Sequence, residues 1–177
     1  TSNKEATYDM TKYLIDKGHE EIAFIMTSKD DTVLERERLS GYEQALNESN
    51  IKLDESLIKY GGTTYEAGYE SMKELLEEGI VPQATFVTGD EAAIGAINAA
   101  CDKGYKVPED ISVAGFNDVK IAKMYRPKLT TVYQPLYDMG AVAIRMVIKL
   151  INKEHLESKK IELPYKIIER ESVIPRK

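Results

Sequence analysis

Residues 84–101 read Ala84-Thr85-Phe86-Val87-Thr88-Gly89-Asp90-Glu91-Ala92-Ala93-Ile94-Gly95-Ala96-Ile97-Asn98-Ala99-Ala100-Cys101. A short apolar run, Ala84 to Val87, meets a turn at Thr88-Gly89-Asp90. Apolar residues then recur at helical spacing, at Ala93, Ile94, Ile97 and Cys101, up to a stop at Gly104. A run of this length without polar alternation is a strand covered on both faces, as in parallel sheets.

The same unit repeats on either side. Ile22 to Met26 and Ile111 to Ala114 are two more such runs, and Leu57 to Tyr60, before Gly61-Gly62, is a weaker one. Helical stretches separate them. Tyr8, Leu14 and Ile15 mark the first, stopped by Gly18. Val33, Leu34, Leu39, Tyr42 and Leu46 mark the second, and Tyr65, Tyr69, Met72, Leu75 and Leu76 the third. This αβαβαβαβ order predicts an α/β fold, a doubly wound parallel sheet flanked by helices on both faces. After Phe116 the pattern changes. A short helix is expected over about 118–124, an extended stretch over Leu129–Tyr133, and a long helix from Pro135 to about Asn152. Two β-like runs follow, Ile161–Leu163 and Tyr165–Glu169.

The chain's 177 residues, 42% of them hydrophobic, suffice for one good core. A net charge of -6 gives no overall attraction to nucleic acid. No stretch approaches the apolar length needed to span a membrane, and the chain does not open with a signal peptide. The lone cysteine excludes an internal disulfide framework and points to a reducing, cytoplasmic setting; Cys101 itself is expected to be packed or half-packed. There is no dinucleotide fingerprint, P-loop, G-x-S-x-G elbow or C-x-x-C, and the only histidines, His19 and His155, stand far apart. The expectation is therefore a non-enzyme without metal or cofactor. For His19, just before a strand, it is a structural hydrogen bond.

In open parallel sheets ligands sit at the carboxyl ends of strands. Those ends are Thr27 to Thr32, Thr88-Gly89-Asp90 and Asn117-Asp118, with Arg36 and Arg38 on the following helix within reach. Asp90 and Asp118 each precede a helix and are equally readable as N-caps, and Arg38 as a surface arginine. On the long helix, Leu136, Met139, Ala143, Met146, Val147 and Leu150 form a face sufficient for core packing. A separate stripe carries Asp138, Val142, Arg145 and Lys149, flanked by Tyr137. It reads either as a solvated face or as a receiver for a phosphate with an apolar neighbour.

Several ordered segments resemble the lactose-repressor family. They are Gly18-His19, Arg38-Leu39-Ser40-Gly41-Tyr42, Thr88 to Gly95, Val107 to Asp118, and Arg126-Pro127-Lys128-Leu129-Thr130-Thr131-Val132. The resemblance implies a C-terminal regulatory subdomain like those of periplasmic sugar-binding proteins, over 1–130 and 154–177. Residues 131–153 would be the crossover and helix of a mostly missing N-terminal subdomain. DNA would be bound through a head absent from this chain. Residues 134–143, Gln134-Pro135-Leu136-Tyr137-Asp138-Met139-Gly140-Ala141-Val142-Ala143, together with Arg145, are similar to the branch serving carbon catabolite control. That likeness implies contacts of Tyr137, Asp138, Val142, Arg145 and Lys149 with the serine-phosphorylated phosphocarrier protein of the sugar phosphotransferase system. It also implies effector binding by Arg38, Asp90 and Asn117, and homodimer contacts by Tyr69, Ile94, Met124 and Tyr125. Gly89 and Asn117 depart from the family pattern and leave room only for a weak sugar-phosphate effector. The alternatives are a sugar-responsive repressor of the same family and a periplasmic sugar-binding protein.

Overall fold

The computed structural model describes residues 1–27, 32–156 and 158–176. Six strands form one sheet in the order β2-β1-β3-β4-β5-β6, from β1 (Ile22–Met26), β2 (Ile58–Tyr60), β3 (Ala84–Val87), β4 (Ser112–Asn117), β5 (Thr130–Tyr133) and β6 (Lys166–Ile168). The first five run parallel, and β6 closes one edge antiparallel to β5. The helices are α1 (Asn3–Asp16), α2 (Val33–Glu48), α3 (Tyr65–Glu77), α4 (Asp90–Asp102), α5 (Lys120–Met124) and α6 (Leu136–Ile151).

Alternate strand residues feed two cores. Ile22, Phe24, Met26, Phe86, Phe116 and Val132 meet Met10 and Leu14 of α1 and Tyr42 and Leu46 of α2. Ile25, Val87 and Val113 meet Met72 of α3 and the apolar side of α4. Both faces of β1 and β3 are thus dry, which is why their sequences show no polar alternation. Phe24 stacks on Tyr42 with centroids 4.7 Å apart, and the buried Tyr42 hydroxyl donates to the Ile22 carbonyl at 2.7 Å.

Each helix pair closes on glycine. A Cβ on Gly41 would stand 2.2 Å from the Lys4 carbonyl of α1, and one on Gly95 2.0 Å from the Tyr65 carbonyl of α3. Gly95→Ala is therefore expected to force α3 and α4 apart, at about 2 kcal/mol, the middle of the usual overpacking cost. Urea unfolding checks this; a loss below about 0.5 kcal/mol would mean the pair has slack.

Four expectations need correction. Residues 131–133, expected in the crossover, hydrogen-bond into the sheet within β5, so the chain leaves the sheet only after Tyr133. Ile161–Leu163 forms no strand and pairs with none of the six strands among the described residues. The expected core face of α6 is not covered. The helix has no buried residue, and Leu136, Val147 and Leu150 are 46%, 54% and 59% exposed, because it leaves the sheet at Pro135 with no layer over it. Ile144, Ile148 and Ile151 are exposed as well. Cys101 is exposed rather than packed, and partial desolvation and then Asp102 push its thiol up, away from the thiolate. No described helix is long and apolar enough to cross a membrane.

Candidate functional site

The order β2-β1-β3-β4-β5 reverses direction between β1 and β3, and the crevice outside that point is where such sheets bind ligands. Thr27, just after β1, and Thr88, just after β3, meet there with hydroxyls 3.2 Å apart, and Thr88 donates to the Ile25 carbonyl. Arg38 reaches in from α2. Its Nη1 donates to Thr27 Oγ1 and to Glu35 Oε1, both at 3.4 Å, and its guanidinium lies 4.8 Å from the Phe116 ring centroid. Arg38 and Glu35 are only 6% and 5% exposed, so Arg38 is not an ordinary surface arginine. Burial lowers its pKa, and the attraction of Glu35 opposes that. Asn117 ends β4 half-buried, with a left-handed φ of 105° and no side-chain hydrogen bond among the described residues. Residues 28–31 of the expected edge lie outside the described residues.

The two aspartates do not cap helices. The N-cap of α4 is Gly89 and that of α5 is Val119, neither with a side-chain cap bond. The Asp90 carboxylate is 2% exposed and accepts from the Val119 amide at 2.7 Å and from the Thr131 hydroxyl at 2.5 Å. It joins α4, the β4–α5 loop and β5, and both its oxygens are engaged. Burial pushes its pKa up to about 7, against the two hydrogen bonds, which lower it. Gly115 makes room: a Cβ there would stand 2.5 Å from Asp90 Oδ1. Asp118, with φ 53°, sits beside Arg170 Nη2 at 2.6 Å and Lys123 Nζ at 3.3 Å. The Arg170 approach lies off hydrogen-bond geometry, since Asp118 Oδ1 has no hydrogen-bond partner, so attraction between the charges holds it. Of the three expected effector residues, then, Arg38 lies at the crevice over Phe116 and Asn117 ends β4 next to that ring in the chain, while Asp90 is a structural latch with both oxygens engaged.

A second candidate site lies on α6. Tyr137 is 88% exposed, Asp138 is exposed and Val142 is half-buried. Arg145 and Lys149, one turn apart and exposed, have no hydrogen bond or ion pair among the described residues. Val142, Arg145 and Lys149 line a groove of about 410 Å³ together with Met146, Leu156, Ser158 and Ile161.

The expected dimer residues divide. Tyr69 and Tyr125 are half-buried on the outer face of α3–α5, where Tyr69 bonds Asp102 and Tyr125 bonds Asn98. Met124 beside them is 62% exposed. Ile94 is the exception: at 4% exposed it is already spent in the core and has almost no area to offer a partner. His19 is buried as a structural group; its Nε2 pairs with the Ile174 carbonyl at 3.1 Å, and burial lowers its pKa, which favours the neutral ring.

Glu35, Phe116, Thr131 and Arg170 were not singled out from the sequence. Glu35 had a signal, standing one helical turn before Arg38. Thr131 and Arg170 had none, because their partners are remote in the chain.

The model of the periplasmic binding protein-like domain matches residues 11–173. The chain is 41% identical over 169 residues to catabolite control protein A of Priestia megaterium, which covers 96% of this chain and 51% of that protein. It is 44% identical over 172 residues to the HTH-type transcriptional regulator RegA of Clostridium saccharobutylicum, covering 97% of this chain and 52% of that protein. The crystal structure of the transcription regulator CcpA of Lactococcus lactis superposes with a TM-score of 0.91 at 42% identity, covering 98% of this chain and 63% of that one. Fold, crevice and family model define a periplasmic-binding-protein-like domain. The chain belongs to the lactose-repressor family of transcription regulators and is similar to catabolite control protein A. It spans about half the length of the curated relatives named above.

Proposed function

We propose that this chain is the regulatory part of a homodimeric regulator of carbon catabolite control, activated by serine-phosphorylated phosphocarrier protein bound to α6. The observation that carries this reading is the pair Arg145 and Lys149, exposed, one turn apart and without a partner among the described residues, beside Val142 and the 88% exposed Tyr137. A phosphate monoester takes two such donors at once, and charge-assisted bonds to it are about twice as strong as neutral ones. Unpaired cations lose no internal ion pair on binding it.

The remaining apolar side of α6, with Ile144, Ile148 and Ile151 exposed, is covered in this reading by an N-terminal subdomain outside this chain. DNA is bound by a head that is also outside it. The face of Tyr69, Met124 and Tyr125 pairs two copies. The partner acts by binding one relative orientation of the subdomains more tightly than the other, and it shifts the equilibrium by no more than that difference. No chemical step is needed.

The test is calorimetric titration of the full-length protein with the phosphocarrier protein, serine-phosphorylated and unphosphorylated. Binding is expected only for the phosphorylated form, and Arg145→Ala is expected to weaken it about a hundredfold, the equivalent of about 2.7 kcal/mol. Equal binding of both forms overturns the reading.

A second reading is favoured by the crevice. Arg38 over Phe116, hydrogen-bonded to Thr27 with Thr88 beside it, gathers polar groups at the switch point, where a sugar effector would be held. Sugar binding that is lost in Arg38→Ala, with no phosphoprotein response, would favour it.

A further inference from the structure

Because five strands run parallel, the loops that precede them gather at one edge of the sheet, opposite the crevice. His19 stands before β1, Gln83 before β3 and Asp110 before β4. With Tyr105 and the C-terminal residues Ile174 and Arg176 they line a cavity of about 500 Å³. Small-molecule sites have volumes of roughly 300–1,000 Å³. Bonds between remote parts of the chain fix the walls. The Arg176 amide donates to the Lys17 carbonyl at 2.7 Å, and the Ile174 amide to Ser112 Oγ at 3.3 Å. Gln83 Oε1 accepts from the Glu20 and Glu21 amides at 2.7 and 3.3 Å, which leaves its amide nitrogen as a donor.

The lining has polar groups of both kinds left over. His19 Nε2 serves the Ile174 carbonyl, and a carbonyl only accepts, so Nε2 carries the proton. Nδ1 of the neutral ring is then an acceptor; it is buried and has no hydrogen-bond partner among the described residues, which is uncommon. The Arg176 guanidinium, the Tyr105 hydroxyl and the Glu109 carboxylate have no partner among the described residues either. Asp110 adds a second carboxylate, one oxygen of which takes the Lys106 amide at 2.7 Å. The rest of the lining is hydrocarbon, including Val81 and Ile174, 39% and 37% exposed.

We propose that this cavity binds a free α-amino acid with an apolar side chain. Arg176 takes its carboxylate, with the Tyr105 hydroxyl and the Gln83 amide as further donors. Glu109 and Asp110 face its ammonium, which also offers an N–H to His19 Nδ1. That nitrogen is already stripped of water, so the bond costs it no hydration. The side chain covers Val81 and Ile174. One cation against two carboxylates disfavours a ligand that is only an anion, such as an organic phosphate. A neutral sugar leaves the charges of both signs unmet. The site lies at the other edge of the sheet from the crevice, so the amino acid and a crevice effector bind without competing.

The experiment is calorimetric titration of the full-length protein with L-leucine, L-methionine and L-phenylalanine, then with the N-acetyl and amide derivatives of the one that binds most tightly. At least one amino acid is expected to bind with a dissociation constant under about 1 mM. Its two derivatives, each lacking one of the two charges, should bind at least about tenfold more weakly. Arg176→Ala should weaken the amino acid about tenfold and leave the amide derivative, which has no carboxylate, where it was. No binding of any of the three, or binding that Arg176→Ala leaves at wild-type strength, overturns the proposal. So does an N-acetyl derivative that binds as tightly as the free amino acid. The Arg176 side chain is exposed, so its loss should leave the melting temperature unchanged. If the variant melts lower without ligand, the comparison of the amino acid with its two derivatives on the wild type decides alone.

Discussion

Arg170→Ala is expected to destabilise the protein by about 3 kcal/mol, the low end of what breaking a buried ion pair costs. The Asp118 side chain is 4% exposed and that of Arg170 12%, so removing the guanidinium strands a carboxylate out of reach of bulk water. Arg170 Nη1 also donates to the Leu129 carbonyl at 2.8 Å, and that bond goes with it. Lys123, 3.3 Å from the other carboxylate oxygen but 59% exposed, compensates only in part. Arg170→Ala/Asp118→Asn should regain part of the loss by removing the stranded charge. Urea unfolding at neutral pH measures both. A loss under 1 kcal/mol in the single variant would show that Lys123 and solvent already satisfy Asp118.

Asp90→Asn is expected to change how stability depends on pH. In the folded protein burial holds the carboxyl at about 7, against its ordinary value of 3.8. Well below pH 3.8 the group is protonated in both states. As pH rises, the unfolded chain ionises first, so stability is lost progressively up to about pH 7 and is level above it. The interval amounts to a loss on the order of 4 kcal/mol. Asparagine can still accept from the Val119 amide and donate to the Thr131 hydroxyl, so it imitates the protonated acid. The variant should match the wild type near pH 4 and exceed it near pH 8. His19 contributes a slope of opposite sign: its folded pKa is lowered, so its share of stability is present above 6.5 and falls away below it. That slope is common to both proteins and cancels in their difference. Parallel stability profiles for the two proteins would refute the account of Asp90.

Together the two aspartates hold the Asn117-Asp118-Val119 turn, whose first two residues adopt left-handed φ values of 105° and 53° without being glycine. Asp90 grips the Val119 amide from α4, and Arg170 grips Asp118 from the segment after β6. Such backbone persists only where its surroundings over-determine it. The turn ends β4 at the crevice, so the latch sets where Asn117 and Phe116 stand relative to Arg38.

The order of strands and helices was legible in the sequence, because apolar runs and helical periodicity are local properties that burial on two faces imposes. The stripe Tyr137, Asp138, Val142, Arg145, Lys149 was legible for the same reason: positions three and four apart share a helix face whatever surrounds it. Tertiary structure alone decided the rest. It placed β6 antiparallel at the sheet edge, turned Asp90 and Asp118 from caps into latches, spent Ile94 in the core and left α6 bare. It also set Leu156 and Ile161 across from Arg145. Each of these depends on which residues distant in the chain come to lie within a few ångströms, and a side chain's charge state and role follow from those neighbours rather than from its place in the sequence.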